Sequence, residues 1–248
     1  MNKKIAIVTG ASNKRDIGTA ICRKLATKGI DIFFTYWKAE KEWIHQFKQE
    51  INKLGVRCVG LEVDLSASEA FLLVLDSVEE KLGKPSILVN NAAHSTNDGY
   101  LKLDSKTIDD HYAVNMRTVF MLSVEFAKRS ENSELRSGRI INMTSGQDLG
   151  PMPGELAYSA TKGAITAFTK SLSIEVAPLG ITVNAVNPGP TDSTWMTDEI
   201  RDYLLPKFPM GRIGQPKDVA ESIAFLASDE AAWITGQVIH SEGGFVRS

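Results

Sequence analysis

Short apolar runs recur along this chain, each followed by a stretch with helical periodicity, and that alternation leaves few folds open. Lys4 to Thr9 is nearly continuous apolar sequence ending in Gly10, as expected of a parallel strand covered on both faces. Ile17, Ile21 and Leu25 then return at helical spacing, and Gly29 closes the segment. The pattern repeats: Ile32 to Phe34 as strand, Trp43, Phe47 and Ile51 as helix, Val59 to Val63 as strand. A helix presenting Phe71, Leu75, Val78 and Leu82 follows and stops at Gly83, ahead of the Ile87 to Val89 strand. A long helix is predicted over roughly Ile108 to Lys128, then a strand at Ile140 and a helix carrying Tyr158 that ends at Pro178 and Gly180. Ile181 to Val186 is a sixth strand, Trp195 to Pro209 a helical insertion, Pro216 to about Ala227 a helix, and Val238–Ile239 a last strand. Seven strands alternating with helices predict an α/β fold: one doubly wound parallel sheet with helices on both faces. No linker or repeat interrupts it, so residues 1–248 are expected to form a single domain.

Composition excludes several classes. A net charge of −2 provides no basic surface for general nucleic-acid binding. The apolar runs are too short to cross a membrane, and Ile5 to Val8 is too short for a signal-peptide core. Cys22 and Cys58 lie far apart, which fits a reducing cytoplasm. His45, His94, His111 and His240 are scattered, so no metal site is expected.

Chemistry concentrates between Arg139 and Lys170. The strand at Ile140 delivers Ser145, and the helix after it carries Tyr158 and Lys162 four residues apart, on one face. A free phenol, with a pKa of about 10, is a poor acid–base group at neutral pH; a neighbouring ammonium would lower it, by ~2–3 units if the contact is close. Tyr158 is then expected to exchange a proton with a carbinol oxygen that Ser145 holds, with Lys162 assisting. Upstream, the turn from Gly10 to Gly18 joins the first strand to the first helix, where backbone N–H groups and the helix dipole favour an anion. Asp16 is expected to cap that helix by accepting from the amide of Gly18 or Thr19, with Lys14 and Arg15 offsetting its charge and able to reach a phosphate. At the end of the second strand the sequence is Thr35-Tyr36-Trp37-Lys38, with no acid to bind a ribose 2′-hydroxyl, and Asp31 lies at the other end. NADP(H) is therefore favoured over NAD(H).

These residues resemble the short-chain dehydrogenase/reductase family over nearly the whole chain. Its Tyr-x-x-x-Lys appears as Tyr158 to Lys162, its serine as Ser145, its helix asparagine as Asn115, its Asn-Asn-Ala-Gly as Asn90 to Ala93, and its Pro-Gly loop as Pro188 to Thr191. The resemblance implies a Rossmann-like fold and a catalytic set of Asn115, Ser145, Tyr158 and Lys162, with Asn115 completing a proton relay. It implies cofactor contacts at Gly10, Ser12, Ile17, Gly18, Tyr36, Trp37, Asp64, Leu65, Asn91, Ala92, Ala93, Pro188, Gly189 and Thr191, and at Tyr158 and Lys162. Two departures stand out: the glycine turn is two residues longer than usual and lacks its middle glycine, and Ala93 replaces a glycine. Such turns are similar to those of enoyl reductases, but those place lysine six residues after tyrosine, where this chain has Ala164; carbonyl reduction is preferred.

For the substrate, the resemblance makes residues 192–210 a lid, with an apolar wall from Trp195, Met196, Tyr203, Leu204, Leu205 and Phe208. Relatives of this size reduce 3-oxoacyl thioesters, and Lys128, Arg129, Arg136 and Arg139 could dock an acyl carrier protein; another small carbonyl, sugar or polyol is the alternative. Relatives are usually homotetramers. A reading from another class, a non-catalytic cofactor-sensing protein, is opposed by the retention of all four catalytic residues.

Overall fold

The computed structural model describes residues 3–131 and 137–247. Seven strands form one parallel sheet: β1 (Ile5–Val8), β2 (Asp31–Tyr36), β3 (Cys58–Glu62), β4 (Ile87–Asn90), β5 (Gly138–Met143), β6 (Ile181–Asn187) and β7 (Val238–His240). Their spatial order is β3-β2-β1-β4-β5-β6-β7, so the direction of winding reverses between β1 and β4. Ligands of open α/β sheets bind outside the carboxyl ends of the strands at such a reversal.

The alternation of side chains along β1 sorts the helices into two layers. Ala6 and Val8 belong to a core with α1 (Ile17–Ala26), α2 (Lys41–Asn52) and α8 (Pro216–Leu226), through Ile21, Leu25, Phe47 and Ile223. Ile5 and Ile7 point the other way, into a core with α3 (Ala70–Lys81), α5 (Val119–Glu131) and α6 (Leu156–Val176), through Leu75, Phe126 and Leu172. Two-sided burial explains why the strands read as unbroken apolar runs. A third, small core under α7 (Asp198–Leu204) joins Met196, Leu204, Phe208 and Ile213 to Phe245 from the C-terminal arm.

The expected helix over 108–128 is not continuous. It is α4 (Ser105–Tyr112), a π-helical turn over Ala113–Thr118, and α5. Asn115 sits inside the π turn, where one extra residue re-aims the side chains.

Asp31 opens β2 with no solvent exposure, and Arg57 neutralises it: the Arg57 backbone N–H donates at 2.8 Å and its Nε at 2.7 Å. Removing one partner of a buried pair strands the other charge. Because Arg57 is itself about half exposed, Arg57→Ala is expected to lower unfolding free energy by ~1–2 kcal/mol in urea denaturation, whereas removal of an exposed pair such as Lys106–Asp110 should leave it nearly unchanged.

Candidate active site

Beyond β5, Thr144 and Ser145 turn toward α6, and the Thr144 hydroxyl donates to the Lys162 carbonyl at 3.1 Å. This bond fixes the register between the strand end and the helix. Lys162 is buried, and its Nζ donates to the Met143 carbonyl at 2.8 Å. The same Nζ lies 5.4 Å from the centre of the Tyr158 ring. Burial pulls the Lys162 pKa down to about 8. Burial also pushes the Tyr158 phenol up to about 12; the charge of Glu155 adds to that rise and the Ser145 hydroxyl opposes it. Lys162 is not among the groups that set this pKa; its ammonium is bonded to the Met143 carbonyl.

Asn115 reaches the same region from the π turn. Its Oδ1 accepts from the His94 N–H at 2.7 Å, and its Nδ2 donates to the His94 carbonyl at 2.8 Å and to Thr161 Oγ1 at 3.1 Å. Its amide is therefore occupied in joining the segment after β4 to α6.

At the sheet reversal lies a cavity of about 590 Å³; His94, which brackets Asn115, lines it, whereas Asn115, Ser145, Tyr158 and Lys162 do not. Of the residues expected to contact a cofactor, Gly10, Ser12, Ile17, Tyr36, Trp37, Asp64, Leu65, Asn91, Ala92 and Ala93 line it. Asn91 holds the glycine turn, its Nδ2 donating to the Thr9 and Gly10 carbonyls at 2.9 Å each. Gly10 has φ +76°, and a Cβ there would come within 2.7 Å of Ala92 Cα. Gly18 lies behind the turn, packed so tightly on the Gly10 carbonyl that no Cβ fits. Pro188, Gly189 and Thr191 sit past β6, outside the lining of this cavity, with the buried Thr191 hydroxyl bonded to the Pro188 and Gly189 carbonyls. Asp16, His94, Ser193 and Trp195 line the cavity without having been expected there as cofactor contacts. Of these, Ser193 and Trp195 fall within the segment expected as the lid, and Asp16 within the glycine turn.

Three expectations need correction. Asp16 occupies the N-cap of α1 but makes no capping bond; its Oδ2 turns back to accept from the Ser12 N–H at 3.0 Å, and burial raises its pKa. The first amides of α1 consequently have no side-chain acceptor, which suits an anion such as a pyrophosphate. Lys14 and Arg15 do not face the cavity. They line a separate depression between α1 and α8, and Arg15 donates to Asp192 at 2.8 Å. The extra turn residues fold on themselves instead, Asn13 accepting the Arg15 N–H at 3.1 Å. Finally, the basic cluster offers no single face. Arg129 is held among Asp76, Glu79 and Glu125, Arg139 is buried, Lys128 is exposed, and Arg136 lies outside the described residues.

A family model described as Enoyl-(Acyl carrier protein) reductase matches residues 10–246. An uncharacterized oxidoreductase of Bacillus subtilis, YjdA, is 69% identical over 245 residues, covering 99% of this chain and 98% of that protein. The 3-oxoacyl-[acyl-carrier-protein] reductase FabG of Staphylococcus aureus is 35% identical over 246 residues, covering 97% of each chain. A solved short-chain dehydrogenase/reductase from Serratia marcescens superposes with a TM-score of 0.89 at 32% identity, covering 98% of this chain and 97% of that one.

Lys162 yields a test of the site's energetics. Among the described residues no carboxylate pairs with it, so its charge is buried against one carbonyl. Below about 8 the folded protein carries this charge at a cost of ~3 kcal/mol relative to an ordinary lysine. Between about 8 and 10.5 the unfolded chain keeps the proton and the folded one sheds it, so stability from this group rises with pH. Lys162→Met is expected to be about 1–2 kcal/mol more stable than wild type near neutrality, after the lost hydrogen bond is counted. That advantage should shrink across the same window, as read by urea midpoints at several pH values.

Proposed function

The chain belongs to the short-chain dehydrogenase/reductase family of oxidoreductases, and from that premise we propose that it reduces a ketone to a secondary alcohol with NADP(H). The observation that carries the reading is the gathering of Ser145, Tyr158 and Lys162 beyond β5, linked through Asn115 to His94, which lines a cavity of about 590 Å³ together with the glycine turn. The cavity fits a dinucleotide: Gly10 brings the turn's backbone to its lining, and the start of α1 has no side-chain cap. When bound, the nicotinamide supplies the hydride. The residues of the chain handle the proton. A phenol whose pKa is raised to about 12 is protonated at neutral pH, the state that donates to a carbonyl oxygen. Ser145 orients that oxygen by hydrogen bonding. Lys162, one turn along α6, holds its ammonium on the Met143 carbonyl, 5.4 Å from the centre of the Tyr158 ring. Asn115 holds the π turn and α6 together through Thr161.

NADP(H) is preferred over NAD(H) because β2 ends in Tyr36, Trp37 and Lys38 without a carboxylate. Lys38 Nζ stands 5.5 Å from the Trp37 ring, at the rim of the cavity that Trp37 lines. Arg15, committed to Asp192, does not support that preference. The likeness to FabG supports a 3-oxoacyl thioester as substrate, whereas the scattered basic cluster gives a carrier protein little to dock on. A small ketone presented free in solution is therefore the first reading and a carrier-bound thioester the second. Reduction of C=C is disfavoured because the lysine stands at position 162 and alanine at 164.

A panel of ketones, aldehydes, sugars and free and carrier-bound 3-oxoacyl thioesters, followed by NADPH absorbance, tests this. Tyr158→Phe is expected to lose roughly 10²–10⁴-fold in kcat with its NADPH dissociation constant unchanged; full turnover in that variant would remove the mechanism. Catalytic efficiency should be higher with NADPH than NADH, and Lys38→Ala should narrow that gap more than Arg15→Ala.

A further inference from the structure

The catalytic helix begins without a cap of its own. Glu155 holds the N-cap position of α6 and makes no side-chain capping bond. The missing acceptors come from elsewhere in the chain: Asp98 Oδ1 accepts from the Leu156 N–H at 2.7 Å and Oδ2 from the Ala157 N–H at 2.8 Å. The Asp98 N–H returns a bond to the Gly154 carbonyl at 2.7 Å. Burial works to raise the Asp98 pKa, but the N–H bonds from Ala157, Leu156 and Gly99 outweigh it and hold the carboxyl below its usual range. It is thus a carboxylate at neutral pH, the form that takes two amides at once.

We propose that Asp98 is a positioning residue for the acid–base group, clamping the first turn of α6 so that the Tyr158 hydroxyl is held in line with Ser145; this rests on the proposed role of Tyr158. The segment that carries Asp98 is itself pinned at two other points. Its His94 backbone brackets the Asn115 amide, and its Thr96 N–H donates to Nε2 of the buried His111 at 3.3 Å. His111 Nδ1 in turn donates to the Thr107 carbonyl at 2.7 Å, which fixes the ring. From Asn115 the path continues through Thr161 Oγ1 to the Tyr158 carbonyl, at 3.1 and 2.8 Å. One segment after β4 therefore grips Tyr158 from two sides, through Asp98 ahead of it and through Asn115 behind it. An N-terminal turn that frays displaces the phenol, and a misplacement of about 1 Å is enough to cost roughly 10²-fold in rate. None of these contacts falls on the glycine turn or the end of β2, so cofactor binding is not expected to follow.

The test compares Asp98→Ala, which removes both acceptors, with Asp98→Asn, which keeps one. Asp98→Ala should lower kcat about 10- to 100-fold, leave the NADPH dissociation constant within about twofold, and raise hydrogen–deuterium exchange at the amides of residues 156–158 while β4 and β5 stay protected. Asp98→Asn should recover most of the lost rate and part of the protection. Unchanged kcat in Asp98→Ala overturns the proposal, as does a parallel loss of kcat and NADPH affinity that Asn does not rescue, which marks general unfolding. A wild type that turns over no carbonyl sinks the proposed function and the positioning role with it. An active wild type whose Asp98→Ala variant keeps its rate sinks the positioning role alone.

Discussion

The buried ammonium of Lys162 is the constraint around which the rest of the site is arranged. It is one of the least tolerable groups to place inside a protein: charged, long, and without a carboxylate partner among the described residues. One hydrogen bond to the Met143 carbonyl leaves most of its desolvation unopposed, which is why burial brings its pKa down to about 8. A chain selected for stability alone would put an apolar residue there. Its presence marks a place where stability is given up for a positive charge beside a phenol, and the strand end, the Thr144–Lys162 bond and the helix register all serve to keep it there.

A second set of polar groups explains how that edge of the sheet stays rigid. Asn90, at the end of β4, donates to Asn142 of β5 at 2.8 Å and to Ser123 of α5 at 3.0 Å. Asn142 passes the connection on to Thr169 of α6 at 2.9 Å. These buried amides and hydroxyls tie two strands to two helices just beneath the catalytic residues. Asn90 Oδ1 is left without a partner, so the network holds through the donors of Asn90 and Asn142. The reaction centre thus rests on a polar floor, while cofactor affinity is assigned to the backbone turn beyond it.

The elements were legible in the sequence because their cause is local. Ile21, Leu25, Phe47 and Leu75 repeat at helical spacing and all four are buried where that spacing puts them. Tyr158 and Lys162 were legible for the same reason, being one turn apart on α6. What escaped was decided by partners distant in the chain. Nothing near Arg15 says that it will pair with Asp192, and nothing near Asp98 says that it will cap a helix 58 residues away. The π turn at Asn115 is equally silent, since one inserted residue leaves the hydrophobic periodicity on either side intact.

The lengthened glycine turn illustrates how such distant partners reassign a residue. Asp192, the first residue of the lid, receives Arg15 from that turn at 2.8 Å, Arg201 from α7 at 3.0 Å and Gln215 from the start of α8 at 3.5 Å. Asp16 adds a contact to Thr194 at 3.4 Å. Arg15, which looked available for a phosphate, is instead bonded to Asp192. Arg15 remains about half exposed, so its own pair with Asp192 is worth under ~1 kcal/mol. The hub has weight only as a group, with three donors converging on one carboxylate. With Arg15 committed, Lys38 is the cation that stands beside Trp37 at the end of β2. The anion-binding part of the turn is then backbone alone, indifferent to which dinucleotide it receives.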